Sequence, residues 1–284
     1  LVFHDGYDLP FFASYPLLDE ARGRAALRAY FATYVGLARE HRLPIVLETP
    51  TWRANPDWGA RLGHGPAHLD RIHRDAVALL CEVRAAAPDV ELVISGNLGP
   101  RGDGYLAGEK MTPGEAADYH GPQVRTFADT EADLVTLLTG TYTEEVIGVI
   151  DAARDANMPV VASFTVETDG RLPSGQPLAD AVRQVDQATG AYAVSLGINC
   201  AHPDHFHAVL ESGEDWVSRI GLLRANASRM SHAELDAAET LDDGDPAELA
   251  ESYATLRRAF PSLRVVGGCC GTDHRHVGAI ASVA

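Results

Sequence analysis

Three of the four cysteines sit where metal chemistry is possible: Gly197-Ile198-Asn199-Cys200, and Val265-Val266-Gly267-Gly268-Cys269-Cys270-Gly271-Thr272 near the C-terminus. Neighbouring side chains on a strand point to opposite faces, so Cys269 and Cys270 cannot both reach one ligand from within a strand. The strand must end first, and the glycines permit backbone angles that let both sulfurs converge beyond it. Three thiolates make a zinc site with an open fourth position, the form a catalytic zinc takes. Cys81, beside Leu79 and Leu80 in a helical stretch, reads as a small buried hydrophobe. Histidines offer a competing set: His202, His205 and His207 follow Cys200, His274 and His276 follow the cysteine pair, and a Cys/His mixture also binds zinc.

The elements that must position these residues alternate along the chain. Strand-length apolar runs occur at Pro44 to Glu48, Leu92 to Ser95, Leu134 to Leu138, Val160 to Phe164, Ala193 to Asn199, Gly221 to Ala225 and Arg264 to Gly267. Amphipathic helical segments lie between them, the clearest at Leu18 to His41, with Leu27, Tyr30, Phe31, Tyr34, Val35 and Ala38 at helical spacing. Thr112-Pro113-Gly114-Glu115 and Asp245-Pro246-Ala247-Glu248 carry helix-start signals, Ser231 to Glu234 reads as a capping box, and Thr141 with Glu144 fits another. Such alternation predicts an α/β fold with a parallel sheet. Polar, glycine-rich segments follow nearly every strand, which favours a (βα)8 TIM barrel over an open doubly wound sheet. A helix comes before the first strand candidate, so the barrel's first strand is expected upstream of Leu1 or reduced to Leu1 to Phe3. With no linker or repeat, 1–284 reads as a single barrel domain. Catalytic residues of such a barrel lie beyond the C-terminal ends of its strands, where Cys200 and the Cys269/Cys270 pair both fall.

Composition narrows the partners. With 40 acidic against 23 basic residues the formal net charge is −17, and no basic cluster is interleaved with aromatics, so nucleic acid is not an expected partner. No apolar run approaches the roughly 18 residues that span a membrane. Four cysteines in 284 residues do not suggest a secreted disulfide framework, and a reducing cytoplasm is the expected location.

The cysteine elements, together with Ser95-Gly96-Asn97-Leu98-Gly99-Pro100, resemble the homocysteine S-methyltransferase family of zinc-dependent (βα)8 barrels, in matching order across nearly the whole chain. The resemblance implies that Cys200, Cys269 and Cys270 are the zinc ligands and that Asn199 and Asn226 shape the zinc pocket. It also implies the activity, a methyltransferase in which a small thiol acceptor is activated on zinc and attacks a small-molecule methyl donor, and by extension a place in methionine biosynthesis. Two departures stand out. The family's opening Asp-Gly-Gly or Asp-Gly-Ala motif is only echoed at Asp5-Gly6, which points to a segment upstream. The family's fourth-strand Glu-Thr, whose glutamate grips the amino group of homocysteine, is replaced by Leu138-Thr139. Leucine cannot pair with an ammonium group, and leaving that charge desolvated is costly. Either another carboxylate takes over, with Glu48 and Glu167 the candidates, or the acceptor is a related thiol. Thr49, Thr51, Trp52 and Arg53 follow Glu48 at the same mouth and are candidate pocket residues.

Two further readings stay open: zinc-hydroxide hydrolysis or lyase chemistry, with Glu48, Glu167, His202 or His205 as general base, and non-catalytic zinc binding closed by a histidine. Neither the methyl donor nor the oligomeric state can be read from the residues.

Overall fold

The structure is a computed structural model that describes residues 6–284. Seven strands, β1 (Ile45–Glu48), β2 (Leu92–Leu98), β3 (Leu134–Gly140), β4 (Val160–Phe164), β5 (Ser195–Asn199), β6 (Ile220–Ala225) and β7 (Val265–Gly268), pair in sequence order, and every pairing is parallel. Each returns through at least one helix: α1 (Ala21–His41) precedes β1, and α2 (Pro56–Arg61), α3 (Pro66–Ala85), α4 (Pro113–Ala128), α5 (Thr143–Asp155), α6 (Leu178–Thr189), α7 (Pro203–Leu210), α8 (His232–Ala237), α9 (Pro246–Ala259) and α10 (His274–Ser282) follow. One contact shows that the sheet is curled. Glu48 on β1 and Arg224 on β6 meet at 2.5 Å, whereas five strand spacings across a flat sheet would separate them by about 24 Å. The expected barrel is therefore present, with β1 and β7 as the edges of its seven described strands. The helical layer passes over that opening, because α10 packs against α1. The expected strand at Leu1 to Phe3, and Asp5 of the Asp5-Gly6 echo, lie outside the described residues.

Burial explains why the sequence folds this way. All five residues of β4 are buried, as expected of a strand covered on both faces. The amphipathic α1 turns Leu27, Phe31, Val35 and Ala38 inward at helical spacing. The capping boxes at Thr112 and Ser231 form as their sequences predict, and Asp245 caps α9 by accepting from the Ala247 and Glu248 N–H groups. The Thr141–Glu144 box does not form: α5 starts one residue later on Tyr142, with no side-chain cap. Leu18 belongs to a separate 3-10 turn (Tyr15–Asp19), so α1 is shorter at its start than the apolar periodicity suggests. Among the described residues no helix is long and apolar enough to cross a membrane.

Candidate metal centre

β5 and β7 deliver the sulfurs. Cys200 follows the last residue of β5 with a left-handed φ of 55°, a conformation that costs a non-glycine residue roughly 1–3 kcal/mol and turns the chain sharply off the strand. β7 ends at Gly268, before the cysteine pair. The glycines act unequally there. Gly271 takes a φ of 78°, whereas a Cβ on Gly268 would lie 2.1 Å from the Thr272 hydroxyl, so Gly268 makes room rather than turning the chain. As a result Cys200, Cys269 and Cys270 bring their sulfurs within 4.8 Å of one another, and no imidazole or carboxylate joins that group among the described residues. Cys200 and Cys269 are linked as a disulfide, with Cα atoms 5.3 Å apart, and Cys270 is a free thiol. Two of the three donors are thus held in oxidised form, and reduction is required before all three can bind a metal. A set of three sulfurs suits zinc or another soft cation once reduced.

The asparagines hold the backbone of this cluster. Asn226 Oδ1 accepts from the Cys270 N–H at 3.1 Å. Asn199 Oδ1 accepts from the Thr139 N–H at 2.9 Å and from the Ser163 hydroxyl at 2.6 Å, which ties the ends of β3, β4 and β5 together. Its Nδ2 is buried with no hydrogen-bond partner, a donor left for a ligand or water. Backbone bonds from Cys269 N to Ala225 O and from Ala227 N to Cys270 O complete the frame.

The proposed substrate carboxylates are engaged within the protein. Glu48 is bonded to Arg224, whose Nε also donates to Gly268 O at 3.1 Å. The partner that a carboxylate at this strand end requires is therefore an arginine of the barrel itself. Glu167 Oε1 faces His232 Nδ1 at 3.1 Å, and His232 Nε2 faces Cys200 O at 2.8 Å. Leu138 is buried at the end of β3. The Thr49 hydroxyl bonds to Thr51 at 2.7 Å and accepts from Asn97 N at 2.8 Å, so it ties β1 to β2. The competing histidines serve other ends: His202 caps α7, His205 bonds to Arg229 O, and His276 bonds to Asp243 O. With these candidates engaged, the hydroxide and histidine-closed readings gain no support from the geometry.

Sequence reasoning missed Tyr105 and His232. The Tyr105 hydroxyl lies 3.0 Å from Cys270 Sγ, and its ring stacks on His232 at 4.1 Å with planes 16° apart. Burial and the neighbouring thiol push the Tyr105 phenol well above its ordinary value, so it stays neutral and can donate or accept. Crowding by neighbouring protein atoms pushes the Cys270 thiol up although the residue is exposed, and the Tyr105 hydrogen bond and Arg224 oppose that shift. The signal for Tyr105 was faint: an aromatic beside Gly104, in a glycine-rich loop after β2. His232 was legible only as part of a capping box.

Comparison with known proteins identifies the family and the fold. The profile described as "Homocysteine S-methyltransferase" matches residues 14–284. Homocysteine S-methyltransferase 3 of Arabidopsis thaliana is 26% identical over 181 residues, covering 63% of this chain and 51% of that protein. Homocysteine S-methyltransferase YbgG of Bacillus subtilis is 23% identical over 199 residues, covering 67% and 61%. The chain thus spans between half and two thirds of the length of these curated relatives. In fold it is similar to the metallated form of the homocysteine methyltransferase MmuM from Escherichia coli, with a TM-score of 0.76 at 20% identity over 95% of this chain and 88% of that one. The oxidized form of MmuM matches equally well, at a TM-score of 0.75. The protein belongs to the homocysteine S-methyltransferase family.

Proposed function

We propose that this protein S-methylates a small thiol, homocysteine or a related compound, using zinc held by reduced Cys200, Cys269 and Cys270 and a small-molecule methyl donor. The observation that carries the reading is the convergence of three sulfurs from two strand ends with no fourth protein donor in the group among the described residues. When bound, zinc supplies one thing, a lowered pKa for a thiol taking the open position, so that the acceptor is a thiolate at neutral pH. The protein's residues do the rest by positioning. Asn226 fixes the Cys270 backbone, and His232 meets the Cys200 carbonyl. The stacked Tyr105 and His232 rings form a rigid wall beside the sulfurs. Holding the acceptor sulfur in line with the donor's methyl carbon converts an encounter of two molecules into an oriented one, a contribution of up to several kcal/mol.

The test is to titrate the reduced protein with zinc, add homocysteine, and follow the zinc X-ray absorption edge alongside methyl transfer from sulfonium and ammonium donors. One zinc per chain with a fourth sulfur arriving with the thiol is the expected result. Stoichiometric zinc with an unchanged three-sulfur shell, and no methylated thiol, would overturn the reading.

A further inference from the structure

Arg53 is a buried cation that forms no ion pair among the described residues. Its residue is only 6% exposed, and its guanidinium carbon lies 3.9 Å from the ring centroids of both Trp52 and Trp58. Nη1 donates to Gly102 O at 2.9 Å, Nε is buried without a hydrogen-bond partner, and no described carboxylate forms an ion pair with the side chain. This contrasts with Arg224, which meets Glu48. In a chain with 40 acidic residues, a desolvated guanidinium without a carboxylate calls for an anion from outside the fold.

The surroundings indicate what kind of anion. Arg61 stacks on Trp58 at 4.4 Å, so one indole carries two guanidinium groups, and Arg61 also forms no ion pair among the described residues. A cavity of about 380 Å³ opens beside this stack, bounded by Trp58, Arg61, Gly102 and Asp103. On its wall Asp57 is neutralised by Arg101 at 2.8 Å, and the Asp103 Oδ1 accepts from Tyr105 N. Glu109 completes the acidic share of the lining. These acids disfavour a multiply charged anion such as a phosphate and leave room for a single carboxylate with an apolar body against the indoles. Burial lowers the Arg53 pKa to about 10, with Asp103 opposing and Arg61 adding to the shift, so the group remains a cation at neutral pH.

The same loop reaches the sulfurs. Arg53 bonds to Gly102, and Tyr105 of that loop touches Cys270; three residues apart, their Cα atoms are separated by at most about 10 Å.

We propose that Arg53, seated between Trp52 and Trp58, is the receptor for a carboxylate carried by the thiol acceptor, so that this protein selects mercapto acids over thiols bearing an amide or no acid. The assignment of the carboxylate to the acceptor rests on thiol methylation being the reaction.

Two of the three tryptophans flank Arg53, so intrinsic fluorescence reports occupancy without metal or turnover. The protein is titrated with 4-(methylthio)butanoate and with the matching amide at fixed ionic strength. The expected result is a saturable change with the acid alone, weakened about tenfold or more in Arg53→Met, in line with loss of a charge-assisted hydrogen bond, and less in Arg53→Lys. No saturation with the acid, or an equal response to the amide, overturns the proposal even if Arg53→Met fails to fold. In a parallel methylation assay, carboxylate binding that depends on Arg53 without any thiol turnover would topple the methyltransferase reading and leave the anion site standing. Turnover with an acid-to-amide KM ratio that is unchanged in Arg53→Met would remove the anion site and leave the reaction standing.

Discussion

β4 and β7 are both parallel strands of one barrel, yet they are built on opposite terms. Every residue of β4 is buried, and Phe164 at its end is completely enclosed. Every residue of β7 is half-buried, and among the described residues β7 pairs with β6 alone. The closed strand offers packing and no sulfur of its own, and Thr165 beyond its end touches Cys200 through the backbone carbonyl. β7 contributes less core and delivers Cys269 and Cys270, whose N–H groups donate to Ala225 O and Asn226 Oδ1 while the Cys270 carbonyl accepts from Ala227 N. Between these two strands the residues that hold the barrel together are thus separated from those placed to do chemistry, while the third sulfur, Cys200, leaves the buried β5. Side chains packed on both faces have no room to admit a ligand, so the sulfurs stand beyond the strand ends, Cys200 after β5 and Cys269 and Cys270 after β7.

Substitutions can break this separation, and the largest effect is expected at the sulfurs. Changing Cys200, Cys269 or Cys270 to Ser should abolish zinc retention and methyl transfer while leaving the thermal midpoint of the reduced apoprotein nearly unchanged, as checked by metal analysis, activity and melting. Phe164→Ala tests the opposite pole. It should cost about 3–5 kcal/mol of stability in denaturant titrations by opening a cavity in the closed arc.

Between the poles lies the loop after β1, held by His73. His73 Nε2 meets Ala54 O at 3.0 Å beneath the turn that carries Trp52 and Arg53. Burial lowers the His73 pKa to about 4 from an ordinary 6.5, with the Ala54 and Asp70 interactions opposing. Above pH 6.5 both folded and unfolded states hold His73 neutral. As pH falls from 6.5 to 4 the unfolded state takes the proton first, so stability declines, by up to about 3 kcal/mol. Denaturant titrations across that range should show this slope in the wild type and lose it in His73→Gln. Asn226→Ala should weaken zinc binding by about 10–100-fold in competition with a chelator, because Asn226 acts on the metal only through Cys270. The smallest effect is expected of Val266→Ala in β7, about 1 kcal/mol by the same unfolding measurement, since its side chain is already half in solvent.

Much of this molecule was legible before any coordinates. The strand and helix alternation is recovered within a few residues, with β4 (Val160–Phe164) recovered at both ends, because apolar patterning and cap residues act over short stretches of chain. The short α2 was missed, since its start rests on the Asn55 cap and Pro56 with too few residues to show a period. The cysteine motifs were readable because adjacent cysteines among glycines are a local pattern. What lay beyond reach was pairing at a distance. Glu48 showed the need for a partner, but nothing in the sequence singles out Arg224, 176 positions away, to meet it. Tyr105 lies 165 positions before the thiol it touches.

The sequence by itself determined the elements, their order, the barrel they imply and the three sulfurs proposed to hold the metal, since these follow from residue types over short windows. Only the tertiary structure decided which carboxylates are already engaged, which rings stand beside the sulfurs and which arginine is buried without an ion pair among the described residues. Those depend on which strand ends the curling of the sheet brings face to face, and that distance is not encoded in the spacing of any one segment.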